Sequence, residues 1–184
     1  MRATVGLAAI VLMLTLAGCG EDEPDAGAGP WSDGMQPAAA ATKIGAGDPC
    51  PLPVTMDVAD KWLPKSVEAG TFRQGDLDLV CEIDAKPAGP IGFIRVWTGA
   101  AQPRAALEAY VADQKDTSEV SYRDTEVGSG SGAEVIWKDG ESGRKRAFAA
   151  PAPGGVVVVV VGGIDDEEYQ ALLPAYLLAK KTIT

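Results

Sequence analysis

Residues 156–161 are six valines in succession. Side chains branched at Cβ are stiff about χ1, crowd the turns of a helix and fit a pleated strand. In an extended chain successive side chains point to opposite faces, so a strand apolar at every position has no face to give to water. The run belongs in the middle of a sheet that is covered on both sides. Pro151-Ala152-Pro153-Gly154-Gly155 before it and Gly162-Gly163 after it mark the reversals at its ends. Any fold for this chain must supply neighbouring strands and two covering layers.

The rest of the chain has the periodicities to do so. Leu77, Leu79, Cys81 and Ile83 alternate with Asp78, Val80, Glu82 and Asp84, which predicts a half-buried strand with the first four on one inner face. Residues 91–98 are rich in Ile, Phe, Val and Trp and predict a central strand. Pro103 suits a first helical position. Ala106, Leu107, Tyr110, Val111 and Gln114 recur at three and four, predicting an amphipathic helix over 103–115. Residues 120–127 read as a solvent-facing strand, and 133–138 and 144–150 flank the turn 139–143 as a hairpin. Val54 to Val58 offer a short strand running toward Trp62. Asp165, Asp166, Glu167 and Glu168 suit a helix start, Tyr169, Leu172, Leu173, Tyr176 and Leu177 its buried stripe, and Lys180 and Lys181 its C-terminal end. Pro174 inside that helix lacks an amide and predicts a kink or restart. The expected class is α+β, an antiparallel sheet packed with helices.

The first residues are of another kind. Arg2 precedes an apolar run over 5–18, too short for a bilayer that takes about 20 residues. It ends in Leu16-Ala17-Gly18-Cys19, which resembles the lipobox of bacterial lipoproteins. That resemblance implies a signal peptide over 1–18, a lipid on Cys19, and a place at the extracytoplasmic face of the cell membrane. Residues 20–47 start acidic, contain Gly and Pro and an alanine run, and show no hydrophobic period. They are expected to form a disordered tether, in which Trp31 and Met35 are either a docking spot or incidental. A single domain is then expected over 48–184. With 16 Lys and Arg against 26 Asp and Glu the net charge is −10, the wrong sign for nucleic acid or anionic headgroups, so the domain is expected to stand off the bilayer.

Three cysteines leave an even pair once Cys19 carries lipid. Cys50 and Cys81 are expected to form a structural disulfide, worth about 3.7 kcal/mol in denatured-state entropy. A redox role would favour the CxxC spacing that they lack. The chain has no histidine. That removes Ser-His-Asp and Cys-His nucleophiles, His-ligated zinc and imidazole switching. Trp62, Trp97 and Trp137 are candidates to line a carbohydrate or apolar ligand pocket, against core packing as the alternative. Residues 165–168 read as a helix cap rather than a calcium site, Arg144-Lys145-Arg146 as a solvated hairpin rather than an anion site, and 128–132 as a flexible loop rather than a phosphate loop. No catalytic residue, metal site or cofactor is indicated.

The lipobox, Leu52-Pro53-Val54 leading to Trp62, the helix with Arg104 and Val111, the hairpin between Lys138 and Arg146, the stretch from Pro151 to Val161 and the closing helix follow one order. In that order the chain resembles the actinobacterial LpqN/LpqT lipoproteins, which share a PsbP-like fold; the Cys50 and Cys81 pair and an insertion around Gly70 to Gly75 depart from them. The resemblance implies a PsbP-like α/β/α sandwich and interaction more than catalysis. The resulting expectation is a non-enzymatic interaction or accessory module of the cell envelope. Its partner would be an unidentified envelope protein or small ligand besides the membrane, and not nucleic acid. One alternative is a small-ligand-binding lipoprotein with a pocket between sheet and helix near Trp62. Another is a carboxylate-dependent hydrolase.

Overall fold

The computed structural model describes residues 30–47, 49–140 and 143–184. The expected signal peptide over 1–18 and the lipid site at Cys19 lie outside the described residues. Among the described residues ten strands and two α-helices follow one another: β1 (Ala40–Ile44), β2 (Met56–Ala59), β3 (Leu63–Ser66), β4 (Arg73–Gln74), β5 (Leu77–Asp84), β6 (Phe93–Gly99), α1 (Pro103–Ala112), β7 (Thr117–Val127), β8 (Gly130–Asp139), β9 (Arg144–Ala152), β10 (Gly155–Gly162) and α2 (Asp166–Thr182). Eight of the strands make one antiparallel sheet in the order β3-β5-β6-β10-β9-β8-β7, with β4 also on β5; β1 and β2 form a separate antiparallel pair.

The valine run is β10, hydrogen-bonded to β6 on one side and β9 on the other. Its side chains divide between two cores. Val156, Val158 and Val160 pack with Trp97, Ala106, Leu107, Tyr110 and Trp137 beneath α1. Val157, Val159 and Val161 pack with Phe148, Leu172, Leu173 and Tyr176 beneath α2, and the β1–β2 pair extends that second layer. The α/β/α sandwich expected from the valines and from the family resemblance is therefore the fold.

Four local expectations need correction. Leu77, Leu79, Cys81 and Ile83 do not share a face. A bulge between Leu79 and Cys81 shifts the register against β6, so Leu77 and Leu79 lie under α1 while Cys81 and Ile83 join the opposite core. That switch lets Cys81 meet Cys50 across the α2 layer, with Cα atoms 5.7 Å apart in the disulfide. Pro174 does not restart α2, which runs through it, so of the kink or restart expected there the restart is overturned; its carbonyl accepts the amide of Ala38 at 2.8 Å. The glycine-rich stretch is a tight β7–β8 reversal rather than a flexible loop. Gly128, at φ 58°, donates to the Lys180 carbonyl, and any Cβ there would run into the Ile183 carbonyl.

The fourth correction concerns the tether. Residues 30–47, expected to be disordered, run along the α2 layer, with Ser32 and Ile44 buried and β1 paired to β2. They show no hydrophobic period because only a few side chains face inward, β1 being exposed at every position but its last. Charge fixes the start of the segment. The folded unit thus begins by Pro30 rather than at 48.

Candidate functional site

Each sheet face carries one unusual constellation. On the α2 face a carboxylate is fully buried. Glu134 in β8 and Arg146 in β9 are both 0 % exposed, and the β8–β9 register sets Ile136 against Arg146 and Glu134 against Phe148, making the two charges diagonal neighbours. Glu134 Oε1 accepts from Arg146 Nε at 2.8 Å and from the Tyr176 hydroxyl at 2.9 Å. Its Oε2 accepts from Arg123 Nη2 at 2.6 Å and Lys180 Nζ at 2.8 Å. Burial alone would raise the Glu134 carboxyl; the hydrogen bonds and charges of Arg146 and Lys180 outweigh it and hold the group below the usual carboxylate range. Burial pushes the Lys180 ammonium down, with Glu134 opposing the shift.

Three cations around one carboxylate leave positive charge to neutralise, and the N-terminal segment supplies the counter-charge. Asp33 takes Arg123 in a two-pronged pair at 2.5 and 2.6 Å. The Arg123 hydrogen bond, against some burial, keeps Asp33 below its ordinary value. The Trp31 ring lies over the Arg123 guanidinium, 4.1 Å from centroid to Cζ, and its carbonyl accepts from Arg146 Nη1. Trp31 is thus a docking residue. Arg146, expected on a solvated hairpin, is the most deeply buried cation of the cluster; Lys145 beside it points to the other face, as alternation requires.

The α1 face is covered only in part. α1 spans Pro103–Ala112 and packs over the Trp97 level of the sheet, while the strands continue past its C-terminal end to Phe93, Asp84, Gly162 and Arg144. A cleft of about 360 Å³ lies beside the helix, lined by Phe72, Glu82, Arg95, Trp97, Tyr110 and Gln114. A smaller hollow of about 120 Å³ continues it through Arg95, Tyr110 and Gln114 to Phe93, Trp137 and Lys145. Tyr110 stands edge-on to Trp97 and Trp137, with centroids 5.5 and 6.0 Å away. Neither indole N–H has an acceptor among the described residues, although buried tryptophans ordinarily find one.

Arg95 pairs with Glu82 at 2.8 Å and lies over the Phe93 ring. Lys145 crosses the sheet to donate to the Gly163 carbonyl at 3.0 Å. It can do so because Gly162 has no side chain; a Cβ there would come within 2.1 Å of Lys145 Cδ. Burial lowers the Lys145 ammonium and raises the Tyr110 hydroxyl to about 12. The groove therefore offers aromatic rings and anchored charges, which is chemistry for holding a ligand rather than for transferring a proton near neutrality.

Of the three tryptophans, Trp97 and Trp137 come together in this groove. Trp62 does not. It is buried in the opposite core with Met56, Val58 and Val54, so the sheet that lies between them excludes a pocket lined by all three tryptophans. Asp165 caps α2 as expected, accepting the Glu168 amide at 2.8 Å. Sequence reading missed Glu134, Arg123 and Lys180. The available signal was Glu134, a lone acid among the apolar residues of one strand of the expected hairpin.

No curated protein matches the chain in sequence. Among solved structures, the cyanobacterial PsbP protein CyanoP of Synechocystis sp. PCC 6803, known in solution, is similar with a TM-score of 0.51 at 7 % identity, over 92 % of this chain and 98 % of that one. That likeness shows the PsbP-like fold. LpqN of Mycobacterium tuberculosis, described as involved in cell envelope biogenesis, is similar with a TM-score of 0.40 at 19 % identity, over 78 % of this chain and 88 % of that one. A family model described as uncharacterised lipoprotein matches residues 21–183, and the chain accordingly belongs to that lipoprotein family.

Proposed function

We propose that the protein is held by lipid on Cys19 at the outer face of the cell membrane and works in the envelope as a non-catalytic binding module, with the groove beside α1 as its recognition surface. The observation that carries this reading is the cleft of about 360 Å³ lined by Phe72, Trp97, Tyr110 and the Glu82–Arg95 pair, which the hollow at Trp137 continues. Membership of a lipoprotein family and the lipobox at Cys19 support the location. The absence of histidine and the pairing of Glu82 with Arg95 favour binding over hydrolysis.

The location is tested by mass spectrometry of the mature N-terminus. A diacylglyceryl cysteine at position 19 is expected, and an unmodified chain beginning elsewhere rejects the anchor. The groove is tested by titrating the protein with solubilised envelope fractions while following tryptophan emission and thermal stability. A fraction that shifts both in the native protein but not in Arg95→Gln identifies the ligand pool. If no fraction shifts either signal while crosslinking in membranes captures one specific protein, the domain is an accessory module that recognises protein through another surface.

A further inference from the structure

Among the described residues the exposed large apolar side chains are not scattered. Leu63, Ile91, Phe93, Val120 and Ile164 account for five of the six such residues, the sixth being Phe72. The register puts these five at one end of the main sheet. Leu63 is opposite Asp84, Asp84 opposite Phe93, and Phe93 opposite Gly162, with Ile91 and Ile164 just beyond. Val120 sits in the irregular stretch of β7 between Ser118 and Ser121, at the same end. Phe72 lies toward the other end, its carbonyl bonded to the Leu79 amide.

The described chain begins at this end too. Pro30 shares a shallow hollow with Glu119, Lys138 and Arg144, where β7 starts, β8 finishes and β9 starts. The ion cluster fixes that exit, because Asp33 and Trp31 are clamped on Arg123 and Arg146. Between Cys19 and Pro30 lie only residues 20–29, which span at most about 35 Å fully extended. The opposite end of the sheet is farther from that exit by a strand length, roughly 25 Å.

We infer that this end of the sheet is the membrane-facing surface, and that Leu63, Ile91, Phe93 and Ile164 seat in the headgroup region of the outer leaflet. The inference rests on the anchor at Cys19. A few apolar side chains bind lipid weakly when free, but a short tether keeps their local concentration high enough for weak contact to set an orientation. The contact is apolar in origin, since a chain of net charge −10 gains nothing from anionic headgroups. The open half of the α1 face, where Phe93 and Lys145 lie, then faces the bilayer edge of the groove.

The test uses the full lipidated chain in phosphatidylcholine vesicles carrying a nitroxide quencher at the headgroup. An environment-sensitive fluorophore is placed on Ile164→Cys or, at the opposite end, on Ser129→Cys. The label at 164 is expected to be quenched several-fold more strongly than the label at 129, equally at low and high salt. Adding Leu63→Ser and Ile91→Ser, both more than half exposed and so neutral for folding, is expected to abolish the contrast while the protein stays on the vesicles. Equal quenching at the two positions in vesicle-bound protein overturns the orientation but leaves the anchor standing. A label at 164 shielded in proportion to protein density, not lipid, also overturns it, in favour of a second copy. A chain that does not float with vesicles at all overturns the anchor, and the orientation with it.

Discussion

The two faces of the sheet start from the same six valines and end differently because their covers differ in length and charge. On one face the long helix α2, the β1–β2 pair and the N-terminal strap close over everything, including a carboxylate and a guanidinium with no exposure. On the other a short helix covers half of the sheet and stops, leaving aromatic rings and salt-bridged side chains beside a groove. Buried charge is tolerated only where every member has a partner, so the closed face is expected to be intolerant of change. The open face has no fully buried ion pair among the described residues and is expected to forgive it. In the proposed function the sealed face positions and the open face recognises.

The sharpest break of this contrast is Glu134→Ala. It leaves Arg146, Arg123 and Lys180 facing one another without their shared carboxylate, and truncation of one partner in a buried pair costs about 3–5 kcal/mol. Chemical denaturation should show that loss; less than about 1 kcal/mol would mean that the cluster is solvated. Acid should act in the same direction. Glu134 and Asp33 bind protons more weakly folded than their ordinary values of 4.5 and 3.8 imply. Their stabilisation is therefore complete above those values and is lost as pH falls below them, toward the lower folded-state values. Asp33→Asn should lower stability at neutral pH and flatten its acid limb. An unchanged pH profile would show that the strap is not held by charge.

The disulfide comes next. Cys50→Ser with Cys81→Ser releases the leading segment from β5, and the loop-entropy estimate of about 3.7 kcal/mol should appear as a lower denaturation midpoint under oxidising conditions. Because the bridge lies wholly in the α2 core, it should leave the groove intact: in a Trp31→Phe and Trp62→Phe background, where only Trp97 and Trp137 emit, the emission of the folded variant should match that of the same background with the bridge. A spectral change would couple the two faces, contrary to their separation by the sheet.

Much of this architecture was legible because it follows from pattern. The valine run required a two-sided sheet, Pro103 and the three-four spacing placed α1, and the parity of the cysteines after Cys19 paired Cys50 with Cys81. What could not be read were features that depend on partners distant in the chain. A bulge such as the one after Leu79 has no signature in an alternation that looks perfect on both sides of it. Asp33 is indistinguishable from the other acids of an acidic stretch until β7 and β9 bring Arg123 and Arg146 to it. Trp62 and Trp97 look alike as isolated aromatics, and only the sheet between them gives one to the core and the other to the groove.

On the open face the expected effects are smaller. Trp137→Phe removes an indole N–H that has no acceptor among the described residues, so the relief of an unsatisfied donor offsets part of the lost apolar area and the net cost should be about 1 kcal/mol. A cost near that of Glu134→Ala would reveal an acceptor for the indole in the folded protein. The smallest change is Glu108→Gln. Glu108 pairs with Arg104 one turn earlier on α1, at 3.0 Å and largely in water. It is the same union of carboxylate and guanidinium that Glu134 makes with Arg146 at 2.8 Å with no exposure. Exposed pairs of this spacing contribute about 0.3–0.5 kcal/mol, so the substitution should shift the midpoint barely and raised salt should erase the shift, since screening weakens exposed pairs first. If Glu108→Gln instead cost as much as Glu134→Ala, burial would not be what separates the two faces, and the division of labour between them would have to rest on something other than how completely each is covered.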